Sequence, residues 1–172
     1  GPLWNAGAFA KFSNNLWYTH TQSNTSGLAG IYDLVRVVVD PNDPTHFFMG
    51  SWVKGLVEFR NNQHYKTHNP TNSTLTFVEG TIYCRIGGMA FDEDGNLWVT
   101  NSLTSPQIHV LSPEGNWTSI DYSSYIGGIN IGRFIITEDD VKWVILPQSV
   151  GLFVFDDNNT PADKSDDKVK KL

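Results

Sequence analysis

The chain has 172 residues, 40% hydrophobic and 17% charged, with 18 acidic against 12 basic side chains and a formal charge of −6. Apolar content at the globular level excludes an intrinsically disordered chain, and the lack of a Lys/Arg cluster before the last few residues leaves nucleic acid and anionic lipid no electrostatic footprint. The single cysteine, Cys84, excludes an intrachain disulfide, and no run approaches the ~18 apolar residues of a helical membrane span.

Asn, Thr and Ser dominate the polar residues, and 15 Gly and 8 Pro accompany them, a composition that favours short strands joined by turns. In chain order, AFAKF (8–12) and LWYTH (16–20) read as two strands. VRVVVD (35–40), HFFMGSW (46–52), GLVEF (55–59) and HYKTH (64–68) read as four more. The same order returns as GGMAFD (87–92), NLWVTN (96–101), QIHVL (107–111) and WTSI (117–120), and again as GRFIIT (132–137), VKWVILP (141–147), GLFVF (151–155) and VKKL (169–172). The first two strands of each set are joined by acidic turns, PNDPT, EDG and EDD, and Asp94-Gly95 supplies tight-turn chemistry in the second.

This is an internal repeat. Phe48, Trp98 and Trp143 fall in one column of the second strands. Phe59, Leu111 and Phe155 close the third strands at spacings of 52 and 44, and Phe12 precedes Phe59 by 47. Four short antiparallel strands per unit of roughly 45–50 residues make the blade of a β-propeller. An ordinary β-sandwich also has short strands and Gly-rich turns, but gives no reason for an aromatic column to recur at this period.

The fold class is therefore all-β, an incomplete propeller of about three and a half blades from a seven-bladed ring, since propellers close at roughly four to eight blades. Residues 1–30 form the end of one blade, and 31–80, 81–125 and 126–172 form one blade each, with no helix expected between 35 and 155. Closure calls for further blades from the rest of a longer chain, or for self-association of this one, because open ends leave sheet faces and edges uncovered.

The GNLWVTN strand at 95–101, with the Gly-led strands at 55–59 and 151–155, resembles the two-component-regulator propeller repeat of the periplasmic sensor regions of hybrid histidine kinases. Longer stretches at 40–59, 68–75, 83–102 and 151–167 are similar to the PorZ family of the type IX secretion system. The resemblance implies a non-enzymatic protein of the cell surface or periplasm of a Gram-negative bacterium. In the PorZ case it would help attach secreted cargo to anionic lipopolysaccharide, with glycan or lipopolysaccharide and secretion proteins as partners. In the sensor case it would read a glycan signal, with signalling proteins as partners.

In propellers the loops between strands two and three, and those crossing between blades, gather at the channel mouth. Here they carry the candidate ligand residues Trp52, Lys54, Asn101, Tyr122, Tyr125 and Gln148. Trp52 offers an aromatic face to a sugar ring while Lys54 attracts an acidic substituent. Against this stands packing of Trp52 on the neighbouring blade. The long crossing loop at 66–81 is of a length that is often functional or mobile.

The sequence calls for no cofactor, with calcium as a candidate at the acidic loop, where Asp156, Asn158, Asp163 and Asp166 offer oxygens without the EF-hand glycine and glutamate. His64 and His68, four apart on a strand, would lie on one face about 13 Å apart, too far for one metal ion. An enzyme would need carboxylates near the mouth, but the acids at 93–94 and 138–140 occupy turns on the opposite face, and only Arg85 and Arg133 come near.

Overall fold

A computed structural model describes residues 2–148 and 150–172. Within them the chain forms one two-stranded and three four-stranded antiparallel sheets. The half-blade pairs β1 (Ala8–Ser13) with β2 (Leu16–Thr21). Blade 1 holds β3 (Leu34–Asp40), β4 (Asp43–Ser51), β5 (Leu56–Arg60) and β6 (Gln63–His68). Blade 2 holds β7 (Ile86–Phe91), β8 (Leu97–Asn101), β9 (Ile108–Leu111) and β10 (Trp117–Ile120). Blade 3 holds β11 (Phe134–Ile136), β12 (Lys142–Leu146), β13 (Gly151–Asp156) and β14 (Lys168–Lys171). Strand order within each sheet follows the sequence, so every connection inside a blade is a hairpin.

The hairpin turns follow from local chemistry. Asn14-Asn15 and Asn61-Asn62 take positive φ, between 51° and 61°, the geometry of the two-residue turn that matches strand twist and that asparagine tolerates; Asn158-Asn159 takes the same geometry inside the longer loop between β13 and β14. In blade 2 the turn after β7 reaches positive φ at Gly95 (+82°), and Asp92 accepts hydrogen bonds from the Asn96 backbone N–H and from the Trp98 indole at 2.8 and 2.7 Å. Asp140 occupies the Gly95 position in blade 3 at φ +60°.

Each blade contact has its own core. Phe47, Met49, Val57 and Phe59 of blade 1 pack on Leu28, Ile31 and Phe9 at the half-blade side. The other face of blade 1, with Phe48 and Leu56, meets Met89, Leu97, Val99 and Leu111 of blade 2. Trp98, Ile108 and Val110 on the far face of blade 2 meet Phe134, Val144, Phe153 and Phe155 of blade 3. Strand alternation thus sends successive residues to successive interfaces, and every sheet between the ends is covered on both faces.

The pairing places Phe48, Trp98 and Trp143 opposite Glu58, Val110 and Val154, one equivalent register position in the three blades. Phe48 and Trp98 are buried while Trp143 is only half-buried, because no described sheet lies beyond blade 3; Ile135 and Ile145 beside it are exposed. The same reason leaves Phe12 at the start of the chain 55% exposed while Phe59 is fully buried.

Two expectations are corrected. A single helical turn, α1 (Ser123–Ile126), lies between 35 and 155, but it sits in the crossing from blade 2 to blade 3 and leaves the strand quartets intact. His64 and His68 do not share a face: a register shift between Glu58 and Phe59 sets Phe59 opposite His64 but Glu58 opposite Lys66, and this bulge inverts the alternation. His64 then packs edge-on to Phe59, whereas His68 turns to Trp117 of blade 2.

Candidate functional site

The strand two-to-three loops (52–55 and 102–107) and the crossings at 22–33, 69–85 and 121–133 lie at one end of the sheets. Between blades 1 and 2 two of these segments join. Cys84 N–H donates to Val53 O at 3.1 Å and Gly55 N–H to Cys84 O at 3.0 Å, a short parallel bridge. Val53 and Cys84 point inward and are buried, so alternation sends Trp52 and Lys54 from one segment, and Tyr83 and Arg85 from the other, to the outer side.

The Arg85 guanidinium lies 5.7 Å from the Trp52 ring centroid and 6.0 Å from that of Tyr83, a geometry in which a cation is held by ring faces. No carboxylate pairs with Arg85 among the described residues, and its Nε is buried without a hydrogen-bond partner. Trp4 extends the patch, edge-on to Tyr83 at 5.8 Å and to Tyr32 at 5.4 Å.

Buried groups hold this patch in place. Ser51 Oγ donates to Tyr32 O at 2.6 Å and accepts from the N–H groups of Val53 and Lys54. The Asp33 carboxylate accepts the backbone N–H groups of Leu3, Trp4 and Asn5 at 2.9–3.0 Å and so fixes the segment that carries Trp4. Asn101 Nδ2 donates to Arg85 O at 3.1 Å, while its Oδ1 accepts from Thr76 N–H.

Asn101 and Tyr122, expected on the binding surface, are therefore corrected: both are buried. The Asn101 amide is spent on positioning Arg85 and the crossing loop. The Tyr122 ring fills the interface of blades 2 and 3, and its hydroxyl donates to Asp167 at 2.6 Å; burial, then this bond, pushes its pKa up. Trp52 and Lys54 share one exposed loop, whereas Tyr125, against Phe153, and Gln148, bonded to Asn130, stand further round the face at blade 3. Tyr83, Arg85 and Trp4 complete the patch; the apolar Cys84 between two large polar side chains was the signal for the first two.

The crossing loop after β6 is tied down. Leu75 is buried under blade 2, Thr74 Oγ1 lies 2.9 Å from His109 Nδ1, and Thr76 meets Asn101. Burial pushes the His109 imidazole down to about 4, despite its bond to Pro106 O.

At the acidic loop, Asp156 pairs with Lys168, Asp163 accepts from Ser165 N–H at the start of a 3-10 turn (Lys164–Asp166), and Asp166 takes bonds from Asn158 and Thr160. Their oxygens are directed to different partners, and no group of three or more His, Cys, Asp or Glu side chains is arranged to hold a metal ion among the described residues.

Two clusters of charged side chains lie at the blade interfaces, one around Glu58 and one around Lys142 and Asp157. Glu58, 1% exposed, accepts from His68 Nε2 at 2.6 Å and from Arg60, with His46 Nε2 at 3.0 Å; burial would raise its carboxyl, but these bonds outweigh that and hold it at about 2. His68 Nδ1 in turn accepts the Trp117 indole N–H across the interface. Lys142 is buried against Asp157 and Asp140, 4.8 Å from the Trp98 ring, and burial raises the Asp157 pKa.

Antiparallel quartets stacked face to face, with first strands side by side and loops gathered at one end, define a segment of β-propeller. Among solved structures the chain is similar to PorZ, an essential bacterial surface component of the type IX secretion system of Porphyromonas gingivalis, at 27% identity and a TM-score of 0.88 over 99% of this chain and 25% of that one. It is also similar in fold to two extracellular domains assigned to hybrid two-component systems of B. thetaiotaomicron. BT3049 matches at 13% identity and TM-score 0.63 over 97% of this chain and 20% of that one; BT4673 matches at 12% and 0.53 over 74% and 17%. The sequence resemblance to PorZ and two-component-regulator propellers is thus met in three dimensions. The chain spans about a quarter of the PorZ chain's length. No protein-family model and no curated protein matches it.

Proposed function

We propose that the chain is a non-catalytic recognition segment of a propeller on the cell surface or in the periplasm, acting as the PorZ-like propellers do in type IX secretion and taking an acidic glycan such as lipopolysaccharide at its loop face. The patch of Trp52, Tyr83 and Arg85 carries this reading. Aromatic faces suit the apolar face of a sugar ring, and an arginine without a carboxylate partner suits an acidic substituent. Lys54 adds a second cation at the rim.

The test is binding of the purified chain to acidic lipopolysaccharide and to a neutral polysaccharide on a biosensor surface. Arg85→Gln and Trp52→Ala should each weaken the acidic ligand at least tenfold, while the melting temperature stays near wild type. Equal binding by wild type and both variants would reject the patch. The sensing propeller of a hybrid kinase is the second reading, favoured by the fold shared with the two extracellular domains. A transmembrane helix and kinase modules encoded downstream in the same gene would decide for it.

A further inference from the structure

Granted the glycan reading of the loop patch, on which this rests, we propose that Trp4 forms the second wall of that patch. An acidic sugar unit is held at Arg85, between Trp52 and Tyr83, and the unit linked to it stacks on Trp4. The ligand class narrows to an acidic oligosaccharide, because one charged sugar unit does not span both walls.

One buried residue, Asp33, holds both walls. Its carboxylate accepts the N–H groups of Leu3, Trp4 and Asn5, and its carbonyl accepts the Trp52 N–H at 3.1 Å. The Asp33 N–H donates to Asn5 O at 2.9 Å, so the segment before β1 is locked to the crossing that leads into β3. Leu3 and Asn5, on either side of Trp4, line one groove of about 300 Å³ together with Trp52. From Trp52 the patch runs through Arg85 and Tyr83 to Trp4, with successive groups 5.7, 6.0 and 5.8 Å apart.

The backbone of Trp4 is strained to display this ring. Its φ is +60°, a left-handed conformation that bulky side chains rarely adopt. Such strain persists only where surrounding bonds over-determine it, as three successive N–H groups on one carboxylate do here. Burial does not account for the strain, because Trp4 stays 49% exposed. Its ring meets Tyr32 and Tyr83 at interplanar angles of 72° and 73°, contacts that fix its orientation and still leave half of it open. A rigid, open aromatic ring gives up little conformational freedom when a sugar ring stacks on it.

The test is a titration of the isotope-labelled chain, following tryptophan indole N–H resonances. The probes are short oligosaccharides cut from delipidated acidic lipopolysaccharide and, separately, glucuronic acid and glucose 1-phosphate as single acidic sugars. Saturable shifts at both Trp4 and Trp52 are expected with the oligosaccharides, and at Trp52 without Trp4 for the single sugars. Trp4→Asn removes the ring and keeps a left-handed backbone that asparagine tolerates; it should weaken the oligosaccharides about fivefold and leave the single sugars unchanged. Trp17→Asn, which removes an exposed ring from the β1–β2 hairpin at the opposite end, should leave oligosaccharide binding unchanged. Oligosaccharides that shift Trp52 but not Trp4, or a Trp4→Asn variant that loses both probes equally, overturn the second wall and leave the Arg85 reading standing. Oligosaccharides that shift neither ring, with Arg85→Gln no weaker than wild type, overturn both. If Trp4→Asn unfolds, the residue-resolved wild-type shifts still decide.

Discussion

Lys142 occupies the register position that Phe47 and Leu97 fill in the other blades, so a charged amine stands where the repeat places an apolar side chain. Replacing it with Met supplies volume and a thioether for the Trp98 ring but strands Asp157, which is 1% exposed and already has one oxygen without a partner. A buried carboxylate left without its cation costs about 3–5 kcal/mol, and its escape is to take up a proton. Protonating a carboxyl of pKa near 4 costs about 4 kcal/mol at pH 7 and about 1.4 at pH 5. Lys142→Met should therefore lose about 3–4 kcal/mol of unfolding free energy at pH 7, and about 2 kcal/mol of that loss should vanish at pH 5. Adding Asp157→Asn removes the stranded charge, and the double variant should return to within about 1.5 kcal/mol of wild type at both pH values. Urea unfolding followed by tryptophan fluorescence measures all three. A single variant as stable as wild type at pH 7, with a double variant worse than the single, would refute the view that the amine is retained to balance Asp157.

Acid should weaken the fold in two stages. His109 is held below its ordinary 6.5, at about 4, so the unfolded chain takes the proton first and stability falls as pH drops from 6.5 to 4. Glu58 is held below 4.5, at about 2, so its stabilisation is complete above 4.5 and is lost as pH falls toward 2. Each stage is worth about 3 kcal/mol, and His109→Gln should flatten the upper one and Glu58→Gln the lower in a pH series of urea midpoints. Gly27→Ala should destabilise by more than about 1 kcal/mol in thermal unfolding, because φ is +83° and a Cβ there would meet the His64 ring at 1.9 Å. Trp143→Lys with Ile145→Lys should reduce self-association in sedimentation velocity without lowering the melting temperature; unchanged association would mean that the blade 3 end face is not the contact. The Cys84 thiol, pushed up to about 12 by burial, should react with a disulfide reagent only as fast as the chain unfolds.

Strand number, strand order and the aromatic and closing columns were legible because each rests on a local rule. Alternation fixes which residues share a face, and turn residues such as Asn61-Asn62 and Gly95 fix where a strand reverses. Comparing one unit with the next then revealed the blade. What the sequence could not convey was coverage. Trp98 and Trp143 hold one position in the repeat, yet only Trp98 is sealed, because burial depends on whether another sheet stacks in front. Asn101 looks like a mouth-facing loop residue until the crossing loop is seen to close over it.

The sequence by itself determined the architecture: a fixed period, a fixed alternation and fixed turns specify four-stranded sheets that must stack to bury their faces. Only the tertiary structure decided the chemistry. It brought Trp52 and Lys54 of blade 1 beside Tyr83 and Arg85 of the crossing to blade 2, and set His68 of blade 1 against Trp117 of blade 2. These groups are separated by many residues in the chain, and their meeting depends on how one blade rests against the next, a relation that no local periodicity encodes.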